Sequence, residues 1–364
     1  MKEIYKQLFT RAFIVMSIFS SYEAMAQDEL REDRSYSYAL QENTYVEISN
    51  KYGDIEIATW DKDSVAIEVS LIVRSDRDID LHEIMDRIEV NFKGNSSYVL
   101  AETNWSDDVG FFRKGVQNIK QGLKSNGNIE VNYIVHLPSN TELDIRNKFG
   151  NVFFGDFDGN LNMNIEYGDL RARKLSHVKK ISLKYGKLKI SEMDRGSLVL
   201  SAVKSAHIVQ ANDIMITSSS SEIEIDEIKT LNIDSKHDDL RIEYIDQLFG
   251  QSSLSDIKVS LIKEESRLQS KFGSIYFKEI ESSASKINID GDRTDIFMNF
   301  KPGFDGIFDI HVDEEKKLAL TETMKINSRE KSDVLGWNIK ATEGSGEGTA
   351  VNIVSAKGYV QIGR

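Results

Sequence analysis

Glu166-Tyr167-Gly168-Asp169-Leu170 is followed 18 residues later by Lys184-Tyr185-Gly186-Lys187-Leu188. The same aromatic-glycine step stands upstream as Lys51-Tyr52-Gly53-Asp54-Ile55 and Lys148-Phe149-Gly150-Asn151-Val152, and downstream as Lys271-Phe272-Gly273-Ser274-Ile275. A short fixed period marks a repeat architecture. We call the aromatic position p. Weaker copies place p at Lys204, Ser220, His237 and Leu254, and Arg293 and Lys357 complete the series. From Phe149 to Arg293 the steps average 18 residues.

Every copy alternates apolar and polar residues, the period of a strand with one buried face. Before the glycine the expected inward set is p−6, p−4, p−2 and p, as in Leu161, Met163, Ile165 and Tyr167, or Leu231, Ile233, Ser235 and His237. After it the parity flips, and p+3 and p+5 point inward: Val152/Phe154, Leu170/Ala172, Leu188/Ile190, Ile223/Ile225, Leu240/Ile242, Ile257/Val259, Ile275/Phe277 and Ile296/Met298. A flip at one place requires a bend, which glycine allows without a Cβ penalty. Ser205, Ser221, Asp238, Ser255 and Thr294 fill that slot where glycine is missing. Column p−2 carries Ser218, Ser235, Ser252 and Ser270 in consecutive copies, an expected inward ladder of small residues at a tight corner.

Two short strands and a corner cannot bury their inward face alone, but stacked copies can. The predicted fold is therefore all-β: a parallel β-solenoid of about 18 residues per coil, with an N-terminal β-rich segment carrying one short helix. Residues 27–140 form that segment, residues 141–300 the solenoid repeats, and residues 301–364 a C-terminal β segment that caps or extends the stack. The helix is expected over residues 78–88, from the spacing of Ile79, Leu81, Ile84, Met85 and Ile88. Residues 104–128 read as a polar loop.

Residues 1–26 read as a secretory signal: Lys2, Lys6 and Arg11, then the apolar run 12–19, then Ala24-Met25-Ala26 as the cleavage site. The run is far shorter than the roughly 20 residues that span a bilayer, so no transmembrane segment is expected in the mature protein. Cysteine is absent, which excludes disulfides, thiolate metal sites and cysteine nucleophiles. The net charge of −13 repels nucleic acid and anionic lipid from the molecule as a whole. Export to the periplasm or outer surface of a bacterium is the expected location.

Asn50-Lys51-Tyr52-Gly53-Asp54-Ile55-Glu56-Ile57 with Trp60-Asp61, the step His136-Leu137-Pro138 and the run of Tyr/Phe-Gly copies carry a family resemblance. The chain resembles the bacterial putative-adhesin family of β-strand-repeat proteins of unknown function, related to the auto-transporter adhesin head domain. The resemblance covers most of the mature chain and implies an exported, non-enzymatic β-solenoid. It names no catalytic residues. A translocating barrel needs many amphipathic strands, which the tail after the repeats is too short to supply.

No nucleophile elbow, phosphate loop, His-x-x-x-His pair or calcium loop occurs, and no cofactor or metal is implied. His207 falls at p+3 of the copy at Lys204, an otherwise inward column, and reads as a satisfied or edge-exposed histidine in a decayed repeat rather than a buried base. His237 replaces a ring in the aromatic stack. Acids recur at p+2 (Asp54, Asp169, Glu222, Asp239, Asp256 and Asp295) and read as caps on their own turns rather than as a calcium row.

Against the acidic background, Arg171, Arg173, Lys174, Lys179, Lys180, Lys184, Lys187 and Lys189 follow one another with no acid between Asp169 and Glu192. Arg171, Arg173, Lys179, Lys180, Lys184, Lys187 and Lys189 are the candidate site for an anionic ligand, either an acidic glycan or an envelope protein. A solvated patch neutralised by neighbours such as Glu166 accounts for the same residues. The expected function is adhesive, binding or structural, in the cell envelope. A polysaccharide-acting enzyme on the same scaffold and an end-to-end polymerising scaffold are the alternatives, and the oligomeric state stays open.

Overall fold

The alternation becomes strand in every copy. The computed structural model describes residues 28–41, 44–75, 81–95, 97–105, 127–332 and 336–363. The proposed leader, the start of the predicted helix and residues 106–126 of the predicted loop lie outside them. The described chain is nearly all β, one open sheet of many parallel strands.

The chain divides into two compact units. The smaller comprises residues 1–32, 71–89 and 105–130. It holds the short helix Leu81–Met85, with Met85 and Ile88 buried. Arg74 donates to Glu29 at 2.6 Å and to Glu130 at 2.7 Å within it.

The larger unit comprises residues 33–70, 90–104 and 131–364 and contains the solenoid. Successive coils Val152–Glu166, Leu170–Lys184, Lys187–Ser201, Ser205–Ser219 and Glu222–Lys236 pair in parallel, each with the next. Asp239–Ile280 runs on through two more coils, and Lys286–Phe300 follows. The register sets like above like: Leu170 opposes Leu188, Leu188 opposes Ala206, and Ala206 opposes Ile223. The p+3 and p+5 side chains are buried as the alternation predicts, none more than 7% exposed.

In the coil Leu170–Lys184 the buried set is Leu170, Ala172, Leu175, Val178, Ile181 and Leu183. Full burial of one such aliphatic side chain is worth about 2 kcal/mol. That burial is completed only by the coils above and below, so neighbouring coils stabilise one another.

At both ends the stack departs from chain order. The first copy sits between later segments: Tyr45–Lys51 pairs Tyr98–Glu102 on one side and Glu142–Lys148 on the other. At the far end Thr349–Ala356 lies between Lys286–Phe300 and Gly306–Val312. The last segment thus extends the stack from inside. The antiparallel strands Lys325–Ser332 and Gly336–Glu343 pair on from Gly306–Val312.

Candidate functional site

The corner departs from its expected geometry in two ways, and both shape the surface. The left-handed residue is the aromatic itself. Tyr52, Phe149, Tyr167 and Tyr185 have φ of 68°, 61°, 59° and 58°, and Ser220, His237, Leu254, Phe272, Arg293 and Lys357 are also left-handed. The remaining copy is corrected: Ala202, with φ of 52°, holds the position that spacing assigned to Lys204. An extra residue follows it, so that Ala206 reaches the level of Leu188.

A left-handed residue of this bulk costs of order 1–3 kcal/mol, and it turns the side chain out of the core. The expected inward p is therefore corrected. Tyr167 is 43% exposed, Tyr185 45% and Phe272 41%. The rings stack on the outside, at 5.2 Å for Tyr52–Phe149, 5.0 Å for Phe149–Tyr167 and 4.8 Å for Tyr167–Tyr185. Each stacked pair contributes about 0.5–1.5 kcal/mol, the same order as the strain.

The glycine at p+1 serves close approach. A Cβ on Gly150 would run into the carbonyl oxygen of Gly53, one on Gly168 into that of Gly150, and one on Gly186 into that of Gly168. Three consecutive coils leave no room there for a side chain.

The shift at Ala202 also moves His207 out of the inward p+3 column, and the reading of it as a satisfied or edge-exposed histidine holds. It faces outward between buried Ala206 and Ile208, with Nε2 3.0 Å from Asp226 Oδ1. His237 is exposed and has no ring partner among the described residues, because its neighbours in the column are Ser220 and Leu254. The expected capping of their own turns by the p+2 acids is corrected: three of them reach backbone N–H groups of other coils, while Asp256 accepts from Ser274 Oγ at 2.6 Å and Asp239 pairs with Arg241. Asp54 Oδ1 accepts from Asn151 N at 2.7 Å, Asp169 Oδ1 from Lys187 N at 2.9 Å, and Asp295 Oδ1 from Tyr359 N at 2.9 Å. Among the described residues no group of His, Asp and Glu is arranged to hold a metal ion.

The corner divides the predicted cationic patch. Lys180 and Lys184 face outward before it, whereas Lys187, Lys189 and Arg171 face outward after it. Arg171 and Lys189 stand side by side in adjacent coils, with His207 next in the same row. Arg173 and Lys179 are neutralised by Asp156 and Glu142, and Lys174 comes within 4.0 Å of Glu192. None of Arg171, Lys180, Lys184, Lys187 and Lys189 forms an ion pair among the described residues. Arg171 lies over the Phe153 ring at 6.0 Å and Lys184 over the Tyr185 ring at 5.2 Å.

Two further cations join the ladder that the charge run did not include. Lys51 lies over Tyr52 at 4.8 Å, and Lys148 sits 5.5 Å from the Phe149 ring centre and 5.9 Å from that of Tyr167. Their signal was the recurring lysine before the aromatic, in Lys51-Tyr52, Lys148-Phe149, Lys184-Tyr185 and Lys271-Phe272. Burial and then the Lys148 charge push the Lys51 ammonium down. A hydrogen bond from Lys148, with the charges of Lys148 and Lys184, holds the Glu166 carboxyl below the usual range.

A second outward cluster is engaged with itself. Tyr98 donates to Glu47 at 2.9 Å, Arg146 donates to Glu47 at 2.7 Å, and Arg146 Nε lies 3.5 Å from Asp144. Burial first, then nearby carboxylates, pushes the Tyr45 and Tyr98 phenols up to about 12. Neither phenol is therefore poised as a base near neutral pH.

No protein-family profile matches the chain, and no curated protein does. Among solved structures it is similar to a putative cell adhesion protein from Clostridium sporogenes ATCC 15579, at 8% identity over 92% of this chain and 99% of that one, with a TM-score of 0.19. It is also similar to a putative adhesin from Bacteroides fragilis NCTC 9343, at 8% identity over 91% and 96% of the two chains, with a TM-score of 0.21. A putative lipid binding protein from Parabacteroides distasonis ATCC 8503 follows, at 11% identity over 91% and 96%, with a TM-score of 0.26. At these scores the likeness carries no argument about ligand or role.

Proposed function

We propose that this chain is an exported, non-enzymatic β-solenoid of the bacterial cell envelope that binds an anionic partner, an acidic glycan in the first instance. The carrying observation is the set Arg171, Lys180, Lys184, Lys187 and Lys189: five cations on two adjoining faces, none in an ion pair among the described residues, on a chain of net charge −13. A cationic patch whose side chains are not tied up in ion pairs attracts anions even when the whole molecule repels them. Stacked coils hold the charges at fixed spacing, which suits a linear polyanion laid along or across the coils.

The test is binding of the full chain to immobilised heparin and polygalacturonate at low and high salt. The expected result is salt-sensitive binding that falls at least tenfold in a chain carrying Arg171→Gln, Lys187→Gln and Lys189→Gln. Arg173→Gln and Lys179→Gln, whose charges are already neutralised, should change it little. Undiminished binding of the triple variant at low salt would remove the patch from consideration.

A further inference from the structure

The ring ladder stops at Tyr185 and leaves a gap. The next two p positions are Ala202 and Ser220, and His237 follows. The corner backbone continues unbroken through the gap: Tyr185 N donates to Ser201 O at 3.1 Å, Ala202 N to Ser219 O at 2.9 Å, and Ser220 N to Lys236 O at 2.9 Å. Two coils thus hold the corner conformation of the ladder without its rings. From Tyr185 to His237 is three coil steps, about 14 Å at the usual strand spacing.

The residues beside the gap share one chemistry. The p−1 column reads Lys184, Ser201, Ser219, Lys236 in register. The hydroxyls of Ser201, Ser219 and Ser220 have no hydrogen-bond partner among the described residues. A lysine therefore stands at each end, with three uncommitted hydroxyls between them. Lys184 lies over the last ring at 5.2 Å. On the other side of the corner stand Lys187, then exposed Lys204 with Ser205 in register beside Lys187, then Glu222 and Asp239, and Asp239 is paired with Arg241.

We propose that this gap is a subsite for a short stretch of acidic glycan, about two sugar rings long. One ring packs its C–H face against Tyr185 above Ala202. The ligand's hydroxyls bond Ser201, Ser219 and Ser220, and its carboxylates or sulfates reach Lys184 and Lys236. A ring with polar edges and attached acid groups matches an aromatic face, hydroxyl donors and ammonium groups together, which an acyl chain does not. The inference rests on the anion-binding reading above and gives its acidic glycan a place and a bound length.

The test is calorimetric titration of the full chain with a heparin-derived tetrasaccharide, with cellotetraose as the neutral control. Ala202→Tyr fills the next ring position and removes no charge. Tyrosine already holds the same backbone conformation at Tyr167 and Tyr185, so the melting temperature should be kept. The expected result is binding of the acidic tetrasaccharide only, weakened at least tenfold by Ala202→Tyr and several-fold by Lys236→Gln, which adds no bulk. Wild-type affinity in both variants, or equal binding of cellotetraose, overturns the gap assignment. If long heparin still binds and Lys189→Gln weakens it while Ala202→Tyr does not, the gap fails and the wider reading stands. If the wild type binds neither heparin nor its fragment, both fail.

Discussion

From Tyr52 to Gly186 the corner is an outward ring followed by a glycine under its neighbour's carbonyl, whereas from Ser220 to Ser255 it carries no stacked ring and a buried polar side chain instead. Ser221, Asp238 and Ser255 take the glycine slot and point inward, where the p−2 serines wait for them. Asp238 accepts from Ser218 Oγ at 2.6 Å, Ser235 Oγ at 2.7 Å, Ser221 N at 2.7 Å and Lys236 N at 3.0 Å. Ser255 Oγ accepts from Asp238 N at 3.1 Å and lies 3.0 Å from Ser235 Oγ. In the glycine coils at Tyr167 and Tyr185 the p−2 residues are Ile165 and Leu183, both fully buried. In these two coils an apolar p−2 accompanies glycine, and at Ser220, His237 and Leu254 a serine accompanies a polar p+1; the pairing is not general, since Asn50 and Asn147 stand with Gly53 and Gly150, and Ser270 with Gly273. Buried polar groups must be paired, so the second corner works only as a set.

The largest effect should come from forcing one corner into the other's form. Gly168→Ala drives a Cβ into the Gly150 carbonyl and should cost on the order of 3 kcal/mol or more in denaturant unfolding. A loss below about 1 kcal/mol, the size of an ordinary propensity change, would mean that the coils can slide apart there. Next comes Asp238→Ala, which leaves two hydroxyls and two backbone N–H groups without their acceptor. The expected loss is about 2–3 kcal/mol, with Asp238→Asn intermediate. An unchanged midpoint would show that the network is not what holds the serine corners.

The smallest effect concerns charge on the glycine half. The Glu166 carboxyl is held low by Lys148. Its stabilising contribution is present above the unfolded carboxylate range of about 4.3 and is lost as pH falls through the lower folded value. In Lys148→Met the Glu166 titration followed by NMR should move upward, and acid unfolding should begin at a slightly higher pH. A Glu166 titration unmoved in that variant would assign the depression to another cause.

Much of this was legible from spacing. Ten of the eleven left-handed non-glycine residues among the described ones sit where the repeat placed p, and the inward p+3 and p+5 columns are buried as read. The exception, Ala202, is instructive. Its copy carries one extra residue after the corner, and the period alone distributes that residue wrongly, moving p to Lys204 and His207 into the core. The outward turn of p was not legible, since an aromatic in an alternating strand ordinarily faces inward. The candidate cations were legible as a run. Their division between two faces was not, nor was the neutralisation of Arg173 and Lys179 by acids from other coils.

The sequence by itself determined a stack of 18-residue coils, because period-two alternation interrupted by a corner leaves only stacking to bury the inward face. It also determined the serine ladder, since small polar residues recur there in consecutive copies. Only the tertiary structure decided that the first copy and the last segment enter the stack out of chain order, since pairing between segments 97 and 64 residues apart leaves no local trace. It alone decided that the rings form an outer ladder ending above Ala202, because the sign of φ at one residue sets whether a side chain joins the core or the surface.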